Sequence, residues 1–246
     1  MPEMSGLDVV RRTYNPIHDL GSAIFLSQET FARAAEWGWS NPFAFYFAGR
    51  GGVLGDVDAG IVAATFGWFN PGIVSSMYAE GVAVGGARTA ADKMFEAHAA
   101  WGRDHLTDVA TQRFNALADR LADGAEGAGL PLFVAWRNHP RVDDTPGRAA
   151  QLLQVLREWR GANHLTATTA VGLSPLEAIL TNEGEQQAKF FGWAAPFPDV
   201  SAITARHDEA EEITNRLCAK EIETLLTPAE RAEFVEAVVT IRATLP

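Results

Sequence analysis

The feature that most narrows what this chain can fold into is the placement of its prolines. Ser40-Asn41-Pro42, Asn70-Pro71, Ser174-Pro175 and Thr227-Pro228 each set a capping side chain directly before a proline. An Asn, Ser or Thr oxygen accepts from the free N–H groups of a first helical turn. Proline suits the next position, where its missing N–H leaves nothing unsatisfied. These starts recur with no convincing run of alternating β-branched residues and no Asn-Gly hairpin between them. The pattern predicts an all-α protein of about ten or more helices.

Periodicity fills in the intervals. Leu152, Leu153, Leu156 and Trp159 share helical spacing, and Phe234, Val238 and Ile241 line one face of the last helix. Two stretches read as helix breaks. One is Asn15-Pro16 in TYNPIHDLGSAIF; the other is Gly161 in LREWRGANHLTAT, with Asn163 capping a new segment from His164. Arg141 to Gly147, RVDDTPG, reads as a linker. It divides an N-terminal helical lobe, residues 1–140, from a C-terminal helical lobe, residues 148–246.

An apolar fraction of 47% over 246 residues supplies ample core. The formal charge of -11 opposes a surface built to neutralise phosphates, so DNA is not the expected partner. A single cysteine, Cys218, rules out an intrachain disulfide. MPEMSGLDVVRR holds no apolar run of signal-peptide length, and no stretch approaches the ~20 apolar residues of a spanning helix. The expected setting is cytoplasmic, away from membranes.

No phosphate loop GxxxxGK[ST], no GxGxxG after a strand, no HExxH, no CxxC and no GxSxG occurs. No motif therefore implies a cofactor or names a metal ligand, and a metal or haem held by imidazoles is left open. His18 follows the Asn-Pro step among Ile17, Leu20, Ile24 and Phe25. It reads as a core-edge histidine or as a general base at a cavity mouth. Arg50 ends the aromatic stretch FAFYFAGRGG and shares a helix face with Tyr46 and Phe47. Its fork suits either helix capping or an anionic ligand. His164, taken as lying at a helix start, is expected to be neutral and so a competent base or ligand. His18, His164 and Arg50 are the catalytic candidates. Tyr46, Phe47, Trp68 and Asn70 are the candidates for substrate contact, although Trp68 and Asn70 also suit core and turn. His98, His105, His139 and His207 read as surface or loop.

PIHDL, YFAGRGGVLGDVDAGIVAATF and LREWRGANHLTAT, in that order, resemble an actinobacterial family of helix-turn-helix proteins known as SalK-like. The resemblance spans about residues 10 to 240. It implies an imidazole at His18, an arginine at Arg50 and an imidazole at His164, with Gly-Asp-Gly usual where this chain has Gly161-Ala162-Asn163. It also implies a helix-turn-helix over residues 174–193 followed by a two-stranded wing. PFPDVSAITARHDEAEEI leaves little room for that hairpin, and Glu185 to Trp193 carries one cation, Lys189. The expected lobe is a degenerate, wing-less winged helix. Two functions follow. One is a small-molecule enzyme of specialised metabolism (isomerase, cyclase or lyase) using histidine acid–base chemistry between the lobes. The other is a ligand-responsive regulator or non-catalytic binding protein.

Overall fold

The computed structural model describes residues 3–245. Those residues form thirteen α-helices and two short 3-10 turns, with no strand among them. The sequence-based all-α reading therefore holds, and no wing hairpin follows the helix-turn-helix segment among the described residues. The first helices are α1 (Gly6–Phe25), α2 (Gln28–Glu36), α3 (Pro42–Gly51), α4 (Ala59–Phe66) and α5 (Pro71–Gly85). Then come α6 (Ala87–His105), α7 (Gln112–Gly124), α8 (Pro131–Asn138) and α9 (Thr145–Ala170). The chain continues with α10 (Pro175–Asn182), α11 (Gly184–Phe190), α12 (Thr204–Leu225) and α13 (Pro228–Arg242).

The proline starts work as the sequence suggests. Asn41 accepts from the backbone of Phe43 and Ala44, and Asn70 from that of Gly72. Ser174 and Thr227 each close a reciprocal capping box with a glutamate three residues on, Glu177 and Glu230.

Both anticipated breaks are absent. Pro16 lies inside α1, which runs unbroken from Gly6 to Phe25. An interior proline costs about 3 kcal/mol, through a lost hydrogen bond and a clash with the preceding turn. Val9, Leu20, Ile24 and Phe25 on this helix are at most 1% exposed. Each fully buried side chain of this size contributes about 1.5–3 kcal/mol, so burial outweighs the proline. Gly161 likewise sits inside α9, a helix of 26 residues. A mid-helix glycine costs only about 1 kcal/mol. The helix around it buries Leu152, Leu153, Val155 and Trp159 on different sides, as a central helix does. The RVDDTPG segment leads straight into α9, whose first residues are Thr145 to Gly147.

The α9 helix packs against α1, α6, α7, α8 and α12, while α1 also packs on α12 and α13. Apolar contact is continuous from Val9 of α1 to Ile241 of α13. Gly21 lets α1 approach α9 closely: a Cβ there would meet Arg157 Cδ at 2.4 Å and Gln154 Oε1 at 2.9 Å. That contact sets the spacing across which the candidate site opens.

Candidate functional site

A cavity of about 250 Å³ opens where α1, α3, α9, α10, α11 and α12 meet. His18, Tyr46, Arg50, Trp68 and His164 all line it, although they are spread over 147 positions of the chain, from 18 to 164 inclusive. Phe47 and Asn70 do not. Phe47 is buried against Phe66 and Phe69, and Asn70 is spent on capping α5. The walls are mainly apolar, with Phe25, Leu156, Trp159 and Ile179 among them.

The α10 and α11 helices form one wall. Glu183, the single residue between them, and Gln187, Phe190 and Phe191 face the hollow. The unit is tied to the loop before α5 by two bonds. The Asn70 N–H donates to the Phe191 carbonyl at 2.8 Å, and Trp193 Nε1 donates to the Trp68 carbonyl at 2.9 Å. Lys189 is the one cation on α11, and it lies 3.6 Å from Glu185.

Arg50 is not free to hold a ligand. Its Nε and Nη2 donate to the two oxygens of Glu158 at 2.7 and 2.9 Å, and Nη1 donates to Tyr46 Oη at 3.2 Å. Its guanidinium carbon lies 4.2 Å from the centre of the Phe66 ring. Burial opposes both charges, but the pairing overcomes it: Glu158 raises the Arg50 pKa, and Arg50 lowers that of Glu158. Gln154 Nε2 adds a third bond to Glu158, at 2.7 Å. Arg157, one residue before that carboxylate, is an under-partnered cation. Its Nε is buried with no hydrogen-bond partner among the described residues, and its Nη1 stands 3.8 Å from Glu158.

His18 stands at the cavity mouth with about half its side chain exposed, 4.0 Å from Asp19 and beside the Tyr14 ring. Partial burial, with the nearby Arg157 charge, lowers its pKa to about 4, so it is neutral at pH 7. His164 projects from within α9, six residues before its end, not from a helix start. Its pKa is lowered to about 4 by burial first, with Arg160 and His207 adding to the shift and Glu211 opposing it. The helix N-terminus that the sequence suggested plays no part. His164 Nδ1 lies 3.0 Å from Thr214 Oγ1, and the imidazole stacks at a tilt on Trp68 with centroids 5.4 Å apart.

Two further residues belong to this region. His207 and Glu211 project from α12 toward His164; the nearest His164–Glu211 contact is 3.5 Å. His207 reads as exposed in the sequence, yet its side chain is 12% exposed and it lines the cavity. The available signal was the four-residue spacing in HDEAE, which puts both side chains on one helix face. His98 also departs from its surface reading. It is fully buried, donates from Nδ1 to the Met94 carbonyl and meets the Phe25 ring edge-on. His105 and His139 are partly exposed, as expected of surface and loop.

Among the described residues, no helix is long and apolar enough to cross a membrane. The family model described as "Helix-turn-helix family" matches residues 10–199. No curated protein and no solved structure matches the chain.

Proposed function

The chain belongs to the helix-turn-helix family, and for this member we propose a small-molecule-binding enzyme that uses histidine acid–base chemistry in the cavity. The observation carrying this reading is the convergence of neutral imidazoles and an under-partnered Arg157 on one mainly apolar hollow. The cavity suits a compact, largely aromatic or aliphatic molecule bearing one anionic group. Arg157 holds the anion, a role that Arg50 cannot take because Glu158 already fills its fork. His18 is the proton acceptor. Burial is the main cause of the depressed His18 pKa and Arg157 the next; an anion seated on Arg157 offsets that second contribution and moves the pKa upward, toward the range where general-base catalysis is efficient. The reaction class is proton transfer: isomerisation, cyclisation, elimination or decarboxylation. Lobes 1–140 and 148–246, and kinship with the SalK-like actinobacterial proteins of specialised metabolism, belong to the same proposal.

The anionic aromatic probe 1-anilinonaphthalene-8-sulfonate tests the site. It should bind with enhanced fluorescence, and binding should be lost in Ser22→Phe, which fills the cavity from α1, and weakened in Arg157→Leu. Aromatic carboxylic acids that displace the probe should then gain deuterium from D2O, and His18→Ala should abolish that exchange. Probe binding that survives both cavity variants would refute the reading.

The family match favours a second reading, a ligand-responsive DNA-binding regulator. Its test is a mobility shift with random duplex at low salt, where non-specific phosphate contacts are strongest. The net charge of -11 and the single cation of α11 favour no shift, and a salt-sensitive shift lost in Lys189→Ala would favour the regulator.

A further inference from the structure

We propose that His164, His207 and Glu211 form a binding site for one divalent transition-metal ion, of the zinc, cobalt or iron(II) kind, in the cavity wall. Each residue offers one ligand atom, and the three atoms lie within 4.8 Å of one another. Two imidazoles and a carboxylate are a recurrent set for such ions when further coordination positions stay open. Ligands ~2.0–2.1 Å from a tetrahedral zinc stand ~3.3 Å apart, and His164 Nε2 to Glu211 Oε1 measures 3.5 Å.

The hydrogen bonding points the same way. Thr214 Oγ1 donates its only proton to the Ala210 carbonyl at 2.7 Å. It can therefore only accept from His164, which fixes the proton on Nδ1. His164 Nε2 then turns a lone pair toward Glu211, so two acceptors face each other across 3.5 Å with nothing donating between them. His207 Nε2 is buried without a hydrogen-bond partner, and its Nδ1 is 3.9 Å from Asp208, too far for a bond. A cation shared by the three groups engages His164 Nε2, Glu211 and one nitrogen of His207 at once. Thr214 behind His164 is the outer partner that fixes a ligating imidazole.

One charge opposes the ion. Arg160 Nη2 donates to the other oxygen of Glu211 at 2.6 Å, and its guanidinium lies 3.4 Å from the centre of the Tyr14 ring. That bond also orients the carboxylate, leaving Oε1 for the ion. His164 and His207 both line the cavity, so an open coordination position faces the space where a small molecule would sit. The inference shares its cavity with the proposed function: a bound ion makes His164 a ligand and leaves His18 as the acid–base group.

Tag-free protein, stripped with chelator and dialysed against Zn²⁺ or Co²⁺ alone, should retain one equivalent by elemental analysis, and the Co²⁺ form should absorb in the visible. His207→Gln and Glu211→Gln should each abolish stoichiometric retention while circular dichroism shows the native helix content. Thr214→Val, which removes only the outer partner, should weaken affinity by ~10–100-fold. His105→Ala, on the exposed end of α6, should bind as wild type. No retained ion in folded wild type, or an unchanged equivalent in folded His207→Gln and Glu211→Gln, would overturn the proposal. Because no organic ligand enters this measurement, its result is independent of the fluorescent-probe test.

Discussion

Replacing Arg50 with methionine probes the buried ion pair most directly. The Arg50 and Glu158 side chains are 9% and 2% exposed, and their contact is bidentate. Removing one member of such a pair strands a charge in a poorly solvated interior, at a cost of about 3–5 kcal/mol. Whole domains are stable by only about 5–15 kcal/mol, so this is a large fraction. With an m-value of about 2 kcal/mol/M, the urea midpoint at pH 7 should fall by roughly 2 M. The pH dependence separates this account from simple loss of packing. Without Arg50, burial raises the Glu158 pKa above its ordinary value of about 4.3. The deficit is then greatest above that raised pKa and shrinks as pH falls through it. Native Glu158, with its pKa held low, contributes stability above the ordinary value and loses it as pH drops further, so the gap closes from both sides. Glu158→Gln strands Arg50 instead. A guanidinium does not deprotonate, so this deficit should hold constant down to the ordinary carboxylate range and shrink only below it, as wild-type Glu158 itself takes up a proton. The double variant Arg50→Met/Glu158→Leu, which leaves no stranded charge, should recover most of the loss. Urea titrations of the four proteins at several pH values supply the readout. Single-variant shifts below a quarter of the stated size, or identical pH profiles for the two single variants, would refute the argument.

Other consequences are equally measurable. Burial lowers the His98 pKa from 6.5 to about 4, so the unfolded chain takes up that proton first. Stability from this site should be complete above pH 6.5 and decline by up to about 3 kcal/mol as pH falls to 4, a slope that His98→Leu should flatten in thermal melts. Burial pushes the Cys218 thiol up to about 12, so a disulfide reagent at pH 8 should label native protein only as fast as it opens, and label urea-unfolded protein at once. A Cβ on Gly161 would meet nothing within 4 Å, so Gly161→Ala should stabilise the protein by about 1 kcal/mol in urea titration, whereas a true break there would yield no gain.

The parts of this architecture legible in the sequence are those set by local chemistry. Caps followed by proline placed α3, α5, α10 and α13, because their hydrogen bonds close within a few residues. Pro16 and Gly161 misled because tertiary burial decided their helices, and burial is not a local quantity. The same division runs through the site. His18, Tyr46, Arg50, Trp68 and His164 stood out by residue type and neighbours, and they do share a cavity. Glu158, which occupies Arg50, lies 108 positions away in an ordinary-looking LREWR stretch. His207 reads as solvated because charged residues surround it in sequence; the face it shares with Glu211 follows from their spacing, but that His164 meets this face follows only from the packing of α12 on α9.

The second helix of the family's eponymous unit carries a consequence of its own. Gln187 and, one turn on, Phe191 look inward, so this side of the segment is part of the cavity's boundary. Substitution at these positions should reshape the chamber, while the outward side, Glu185, Gln186 and Lys189, should change with little effect on the interior. The turn between α10 and α11 thereby forms an edge of the chamber.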